Sequence, residues 1–524
     1  MSKKTFDKAI PLRQTLDLNK IERDLLASKK VMLPLGKKYN DRLSHSNDVE
    51  YVAKKIFKHL ISNYDSSSVY MDTLCATKIK TMAQWHDVGH CPYGHAGEDM
   101  LNSLISENED LYHDSFYSGY KHNLLSAKLI LDTQKNISWD IVDAVIKHSS
   151  VLPSNFNFSR ANDDNILKLN YIFNCDKNNI VHKQNQRVAV NQSWYMFMKK
   201  FIKIFPCSVC GVTKYNFISY DTKYKHDAIK ICSEGKNKCQ FCVLKNDHKT
   251  KNTTEAIKNN ITKYLLFPHP LTLNGDIIRI ADEISALVRD IEFYFKFLKG
   301  KNKQDKYYII AEHVINKVNI LKSKFIDDTD ACLFIDKVKE LIFAETSGDD
   351  LIDFLIKNIE YDPSTFKIIE KKEFNNVPII IRWNDLKEKK YCRSLLSFNK
   401  NIDVLFKEIK NAIYCIIHND KSIKKDNDAG KKYIQKVFEY YYKHPSEFLE
   451  INSHLNDELN SITNKIKYMA FESLVEKINF AKDNIAENND SMKLLNSFRR
   501  EIAFYIARLG EPDLKKLCKQ IKNK

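Results

Sequence analysis

Residues 85–98 read WHDVGHCPYGHAGE. They crowd His86, Asp87, His90 and His95 into one short stretch and break it with Gly89, Pro92 and Gly94, in a 524-residue chain that has only twelve glycines and eleven prolines. The preceding KIKTMAQWHD ends in the His86-Asp87 pair, so the breakers predict a helix that stops there and a turn that brings His90 and His95 toward the same space. Neutral imidazoles and ionised carboxylates gathered on rigid elements are the donor set of a metal site.

Two further positions extend the pattern. His45 precedes Val49, Val52, Ile56 and Leu60 at helical intervals, which puts it on the inward face of the helix it opens. Asp282 shares a helical line with Ile278, Ala286 and Asp290, and a carboxylate on a partly apolar face is costly unless a cation or hydrogen bonds compensate it. A lone inward histidine reads as a core residue. A histidine, a His-Asp pair and a later aspartate, each inward or at a helix end, read as a site.

Apolar spacing of three and four recurs along nearly the whole chain, and the fold class is mainly α. KEFNNVPIIIRW, residues 372–383, is the best candidate for a strand or hairpin, and residues 300–306 and 419–430 read as polar surface loops. With 43% apolar and 29% charged residues the composition is that of a soluble globular protein rather than a disordered one. The start, MSKKTFDK, lacks the apolar stretch of a signal peptide and no run of about 18 apolar residues occurs, so the expectation is a cytoplasmic protein with no membrane association. The net charge of +16 favours polyanionic partners, although a solvated lysine-rich surface would produce the same number.

Residues 205–245 depart from the helical pattern. Cys207 and Cys210 form CSVC and Cys239 and Cys242 form CQFC, with 28 residues between the pairs, a spacing that predicts a structural Zn(Cys)4 ribbon in a reducing compartment. Cys232 is a substitute ligand or a spare thiol. Interleaved lysines and aromatics, among them Lys223, Lys225, Tyr220 and Tyr224, would suit single-stranded nucleic acid or a protein partner, and equally a lysine face over a small aromatic core.

RLSHSNDVEYVAKKI, WHDVGHCPYGHAGE and IRIADEISALVRD, in this order, closely resemble the HD-domain deoxynucleoside triphosphate triphosphohydrolases, the bacterial dGTP triphosphohydrolases and their animal SAM-and-HD relatives. ERDLLASK (22–29), SGYKHNLLSAKLI (118–130), residues 429–450 and RREIAFYIA (499–507) continue the resemblance more loosely. It implies an HD-domain helical core with its N-terminal part in residues 1–155, an insertion at 156–270 around the ribbon, a closing helix of the site at 271–300 and a helical C-terminal region at 301–524. It further implies a divalent metal, manganese, magnesium or similar, on His45, His86, Asp87 and Asp282. Arg42 would contact phosphates, Asp290 the sugar, and His90, His95 and His122 would serve proton transfer during release of inorganic triphosphate.

The chain departs from the family pattern at Ala286, where a tyrosine is usual, at Asn123, Leu124 and Leu125, where a glutamate or glutamine is usual, and at Phe504, where an aspartate is usual. The resemblance also implies a ring-like homo-oligomer, a nucleotide effector, and a role in nucleotide-pool control or phage defence. Two alternatives stand beside it: an HD-type phosphohydrolase acting on single-stranded nucleic acid or a nucleotide messenger, and a regulator that senses nucleotide while its zinc module binds a partner.

Overall fold

The computed structural model describes residues 18–33, 41–64, 74–105, 120, 122–133, 139–149, 270, 272–301, 304–343, 345–361, 395–453, 473–483 and 489–522. The cysteine ribbon, with Cys207, Cys210, Cys239 and Cys242, and the strand expected at 372–383 lie outside the described residues.

The described chain is mainly helical, as the spacing predicts. Among the described residues, six helices precede the cysteine segment: α1 (Lys20–Ala27), α2 (Arg42–Asn63), α3 (Ala76–Trp85), α4 (Gly94–Ile105), α5 (His122–Thr133) and α6 (Trp139–Lys147). After it come α7 (Leu273–Lys299), α8 (Gln304–Lys324), α9 (Thr329–Ile342) and α10 (Gly348–Lys357). The remainder is α11 (Lys400–Asn419), α12 (Lys421–Lys443), α13 (Pro445–Ile451), α14 (Leu474–Asp483), α15 (Asn489–Ala507) and α16 (Glu511–Lys522). Two short strands, β1 (Ile359–Tyr361) and β2 (Leu396–Phe398), pair antiparallel with Ile359 opposite Phe398. Among the described residues no helix is long and apolar enough to cross a membrane.

Helix α7 is the axis of the fold. Thr272 caps it by accepting from the Gly275 amide, and α2, α3 and α6 pack on it together with α8, α10 and α11. Its Ile277, Ile278, Ala281 and Ile284 are fully buried; each buried isoleucine contributes about 1.5–3 kcal/mol. Helix α2 lies along α7 with Val49, Val52, Ile56 and Leu60 inward, and that packing turns His45 toward Asp282.

Residues 419–430, read as a loop from their polarity, are helical. The Asp420 carboxylate accepts from the amides of Ser422 and Ile423, which starts α12 directly after α11. Gly430 is then needed inside α12: a Cβ there would sit 2.2 Å from the Tyr93 ring.

The motif turn after α3 is held from both ends of the sequence. Tyr93 and Gly94 both have positive φ, 65° and 57°, an uncommon backbone for tyrosine. The buried Glu511 carboxylate accepts from the amides of Tyr93 and Lys30, at 3.1 and 3.0 Å. Fully buried Lys29 donates to the carbonyls of His90 and Ala507, at 2.5 and 2.7 Å. The turn is thus tied to α1 on one side and to the α15–α16 junction on the other.

Candidate metal centre

Three helices deliver the four residues expected to hold a metal. His45 comes from the first turn of α2, His86 and Asp87 from the end of α3, and Asp282 from the middle of α7. His45 Nε2 lies 2.9 Å from Asp282 Oδ1 and 3.8 Å from Asp87 Oδ2; His86 Nε2 lies 3.6 Å from Asp87 Oδ2 and 3.8 Å from Asp282 Oδ1. The separations beyond 3.5 Å are too long for hydrogen bonds. They are close to the distance of about 3.0–3.4 Å expected between two ligands of one ion with bonds near 2.1 Å.

The donor chemistry fits. His86 Nδ1 lies 2.7 Å from the Ala83 carbonyl, which can only accept, so that nitrogen carries the proton and Nε2 keeps its lone pair. His86 Nε2 is buried with no hydrogen-bond partner, an orphan aimed at two carboxylates. Burial would raise the Asp87 pKa, but Arg42 and the imidazoles of His86, His90 and His122 hold it well below the usual range. Asp282 is likewise lowered, its burial outweighed by His45 and His86. Both carboxylates stay ionised at neutral pH, and burial keeps His45 neutral. These groups can hold a divalent ion.

The remaining expected residues surround this centre. Arg42 Nη1 donates to Asp87 Oδ2 at 2.5 Å. His90 stacks on His122 with ring centroids 3.8 Å apart, and both Nε2 atoms lie 3.8 Å from Asp87 Oδ1. Gly89 permits this approach, because a Cβ there would meet the His122 carbonyl at 2.2 Å. The Ser126 hydroxyl then ties the two segments, donating to the His86 carbonyl and accepting from the Gly89 amide. His95 is different: its side chain is 55% exposed and its ring centroid is 5.3 Å from that of His90. Asp290, two helical turns beyond Asp282 on α7, is partly buried; burial lifts its carboxyl to about 7 against the opposing pull of Lys410.

Two buried contributors escaped sequence reasoning. Glu98, the last residue of the opening stretch, has Oε2 2.8 Å from His122 Nδ1 and 3.6 Å from His95 Nδ1. His148, just past α6, is 2% exposed, with Nε2 3.7 Å from Asp87 Oδ1 and 3.3 Å from His122 Nε2. Burial, with His86 and His122 nearby, lowers its pKa to about 3. The signal was present: Ile141, Val145 and His148 follow the inward spacing of α6.

An outer wall was also missed. Lys410, Tyr414 and His418 follow one another at four-residue steps on α11. Burial raises the pKa of Tyr414, with Asp99 and Asp290 adding to it, and burial lowers that of His418, with His95 adding to it; Lys410 in turn pulls Asp290 down, so the row runs from Asp290 to the exposed His95. Tyr414 is 46% exposed and its ring lies 3.9 Å from that of His418.

Buried imidazoles and carboxylates converging from separate helices define a helical metal-binding class built on a His-Asp pair. Comparison with known proteins narrows the class. The chain is 31% identical over 144 residues to the deoxyguanosinetriphosphate triphosphohydrolase-like protein of Rickettsia akari (strain Hartford), covering 26% of this chain and 32% of that one. It is 30% identical over 145 residues to the protein of the same description from Rickettsia bellii (strain RML369-C), and 30% over 123 residues to that of Geobacter sulfurreducens, covering 22% of this chain and 26% of the latter. Over about a quarter of its length the chain is therefore a homologue of the dGTP triphosphohydrolase-like family. The match spans only about a quarter to a third of these curated relatives. No family model matches the chain.

Proposed function

We propose that the protein is a metal-dependent hydrolase that converts deoxynucleoside triphosphates to deoxynucleoside and inorganic triphosphate. The convergence of His45, His86, Asp87 and Asp282 from three helices carries this reading, and the similarity to triphosphohydrolase-like proteins supplies the substrate class. A divalent ion on these four residues would lower the pKa of water and polarise a phosphoryl oxygen.

The chain's own groups do the rest. Water adds its oxygen to the α-phosphorus, the bond from phosphorus to the sugar 5′-oxygen breaks, and that oxygen takes a proton. His95 stands at the open side, where an imidazole can deliver it, with Glu98 between His95 and His122 to orient both rings. Arg42, beside the Asp87 carboxylate, supplies a planar cation for phosphate, and Asp290 with Lys410 offers a polar seat for the sugar. Where Ala286 removes the usual tyrosine, Tyr414 presents a ring for the base.

The test is a panel of deoxynucleoside and ribonucleoside triphosphates with manganese or magnesium, with and without single-stranded nucleic acid and a second nucleotide. Inorganic triphosphate in equal amount to nucleoside is expected. Pyrophosphate with monophosphate would show that a different bond is cut, and turnover of nucleic acid alone would favour the other phosphohydrolase reading.

A further inference from the structure

We propose that Arg499, with Tyr442 and Lys482, forms a binding site for a phosphate-class oxyanion, separate from the candidate metal centre and built on α12, α14 and α15. The site goes beyond the hydrolase reading and does not depend on it.

Helix α15 carries three consecutive charged residues, Arg499, Arg500 and Glu501, and all three are buried. They are not a solvated face: Phe498, Ile502, Ala503 and Ile506 beside them are fully buried, and α12 and α14 pack on the helix. Their charges do not cancel. Glu501 Oε1 accepts from Nε and Nη2 of Arg500, both at 3.2 Å, and its Oε2 lies 4.0 Å from Lys128 Nζ on α5. The one carboxylate of the run is thus engaged by two other cations, and Arg499 has no share in it.

Arg499 is given a ring instead. Its guanidinium carbon lies 4.8 Å from the Tyr442 ring centroid, and Nη2 donates to the Tyr442 hydroxyl at 3.3 Å. The side chain is only 7% exposed, and among the described residues its Nε and Nη1 have no hydrogen-bond partner. Three N–H groups of a permanent cation therefore lack an acceptor. Attraction to one aromatic ring is small beside the cost of burying a guanidinium with unmet donors, whereas an oxyanion answers both the charge and the N–H groups.

A second cation faces the same ring. Lys482 Nζ on α14 lies 5.0 Å from the Tyr442 centroid; burial lowers its pKa, against the opposing pull of the exposed Asp483. The Tyr442 hydroxyl accepts from Arg499 and so turns its own proton elsewhere. A guanidinium, an ammonium and a phenol O–H make a donor set, and the several lone pairs of a phosphate suit it better than the two oxygens of a carboxylate. Free phosphate and inorganic triphosphate share that chemistry.

Melting temperatures decide the matter. The full-length protein is melted without added divalent metal in phosphate, in inorganic triphosphate and in chloride at equal ionic strength. Wild type is compared with Arg499→Met, Lys482→Gln and His86→Ala, the last taking the candidate metal centre out of the comparison. Wild type and His86→Ala should both melt about 2–4 °C higher in the phosphates than in chloride, and Arg499→Met should lose that shift. Lys482→Gln, altered at a partly exposed position, should need about 3–10-fold more anion for the same shift. Whichever of phosphate and triphosphate acts at the lower concentration is the better ligand, and either supports the site. No shift in wild type, or an equal shift in Arg499→Met, would overturn the proposal. Loss of the shift in His86→Ala but not in Arg499→Met would also overturn it, by placing the anion at the metal centre. If Arg499→Met does not fold, an unchanged anion requirement in Lys482→Gln overturns the site and a raised one upholds it.

Discussion

The floor of the site and its outer wall are built on opposite terms. The floor, His45, His86, Asp87 and His148, is at most 3% exposed, and the His86 and His148 rings are each fixed through Nδ1 by a backbone carbonyl. The wall, Lys410, Tyr414 and His418 on α11, is half-open, with the Tyr414 and His418 rings in contact. A buried donor set has one geometry and therefore one chemistry. An exposed row can change without disturbing the core, which under the proposed function makes it the candidate for setting substrate choice.

Substitutions can break that division, beginning with the largest effect. His86→Ala should lower kcat on the order of 10³-fold or more and release bound metal while the helical circular dichroism stays unchanged. Retained activity would remove the floor from the chemistry. Glu98→Gln should cost about 10–100-fold in kcat and alter the pH–rate profile, since it orients His122 and His95 together. A loss confined to KM would assign Glu98 to binding instead. Tyr414→Ala should raise KM by about 10-fold and leave kcat near its wild-type value; equal losses in both base-containing and base-free triphosphates would show that the ring does not meet the base.

The smallest effect concerns stability. Burial raises Asp290 to about 7, against about 3.9 for an unfolded aspartate. Between those values the folded chain keeps a proton that the unfolded chain has lost, so stability falls as pH rises from about 4 to 7. Asp290→Asn should therefore melt higher than wild type at pH 8, by the equivalent of about 1–2 kcal/mol, and converge with it near pH 4. A difference that does not change with pH would refute the raised carboxyl.

The sequence was informative where chemistry is local. His86, Asp87, His90 and His95 are neighbours in one stretch, and the inward spacing of His45 and Asp282 is the same spacing that packs α2 on α7. His148 and Glu98 were harder because each acts through a partner from another helix. The wall was hardest: Ile402, Leu405, Ile409, Ile413 and Ile417 mark the buried face of α11, and the opposite face looks like any solvated surface until α4 and α7 are set beside it. Polarity at 419–430 misled for a simpler reason, because the Asp420 cap outweighs it.

Finally, the ties at Lys29 and Glu511 give the molecule an order of assembly. The turn that carries the His-Asp pair is complete only when the Ala507 carbonyl and the Glu511 carboxylate are in place, more than 400 residues later. A ribosome that has made the first 150 residues has made His45, His86 and Asp87 of the candidate centre, but neither Asp282 nor the clamp that seats the turn. The His-Asp turn therefore gains its full set of ties only after residue 511 has been added to the chain.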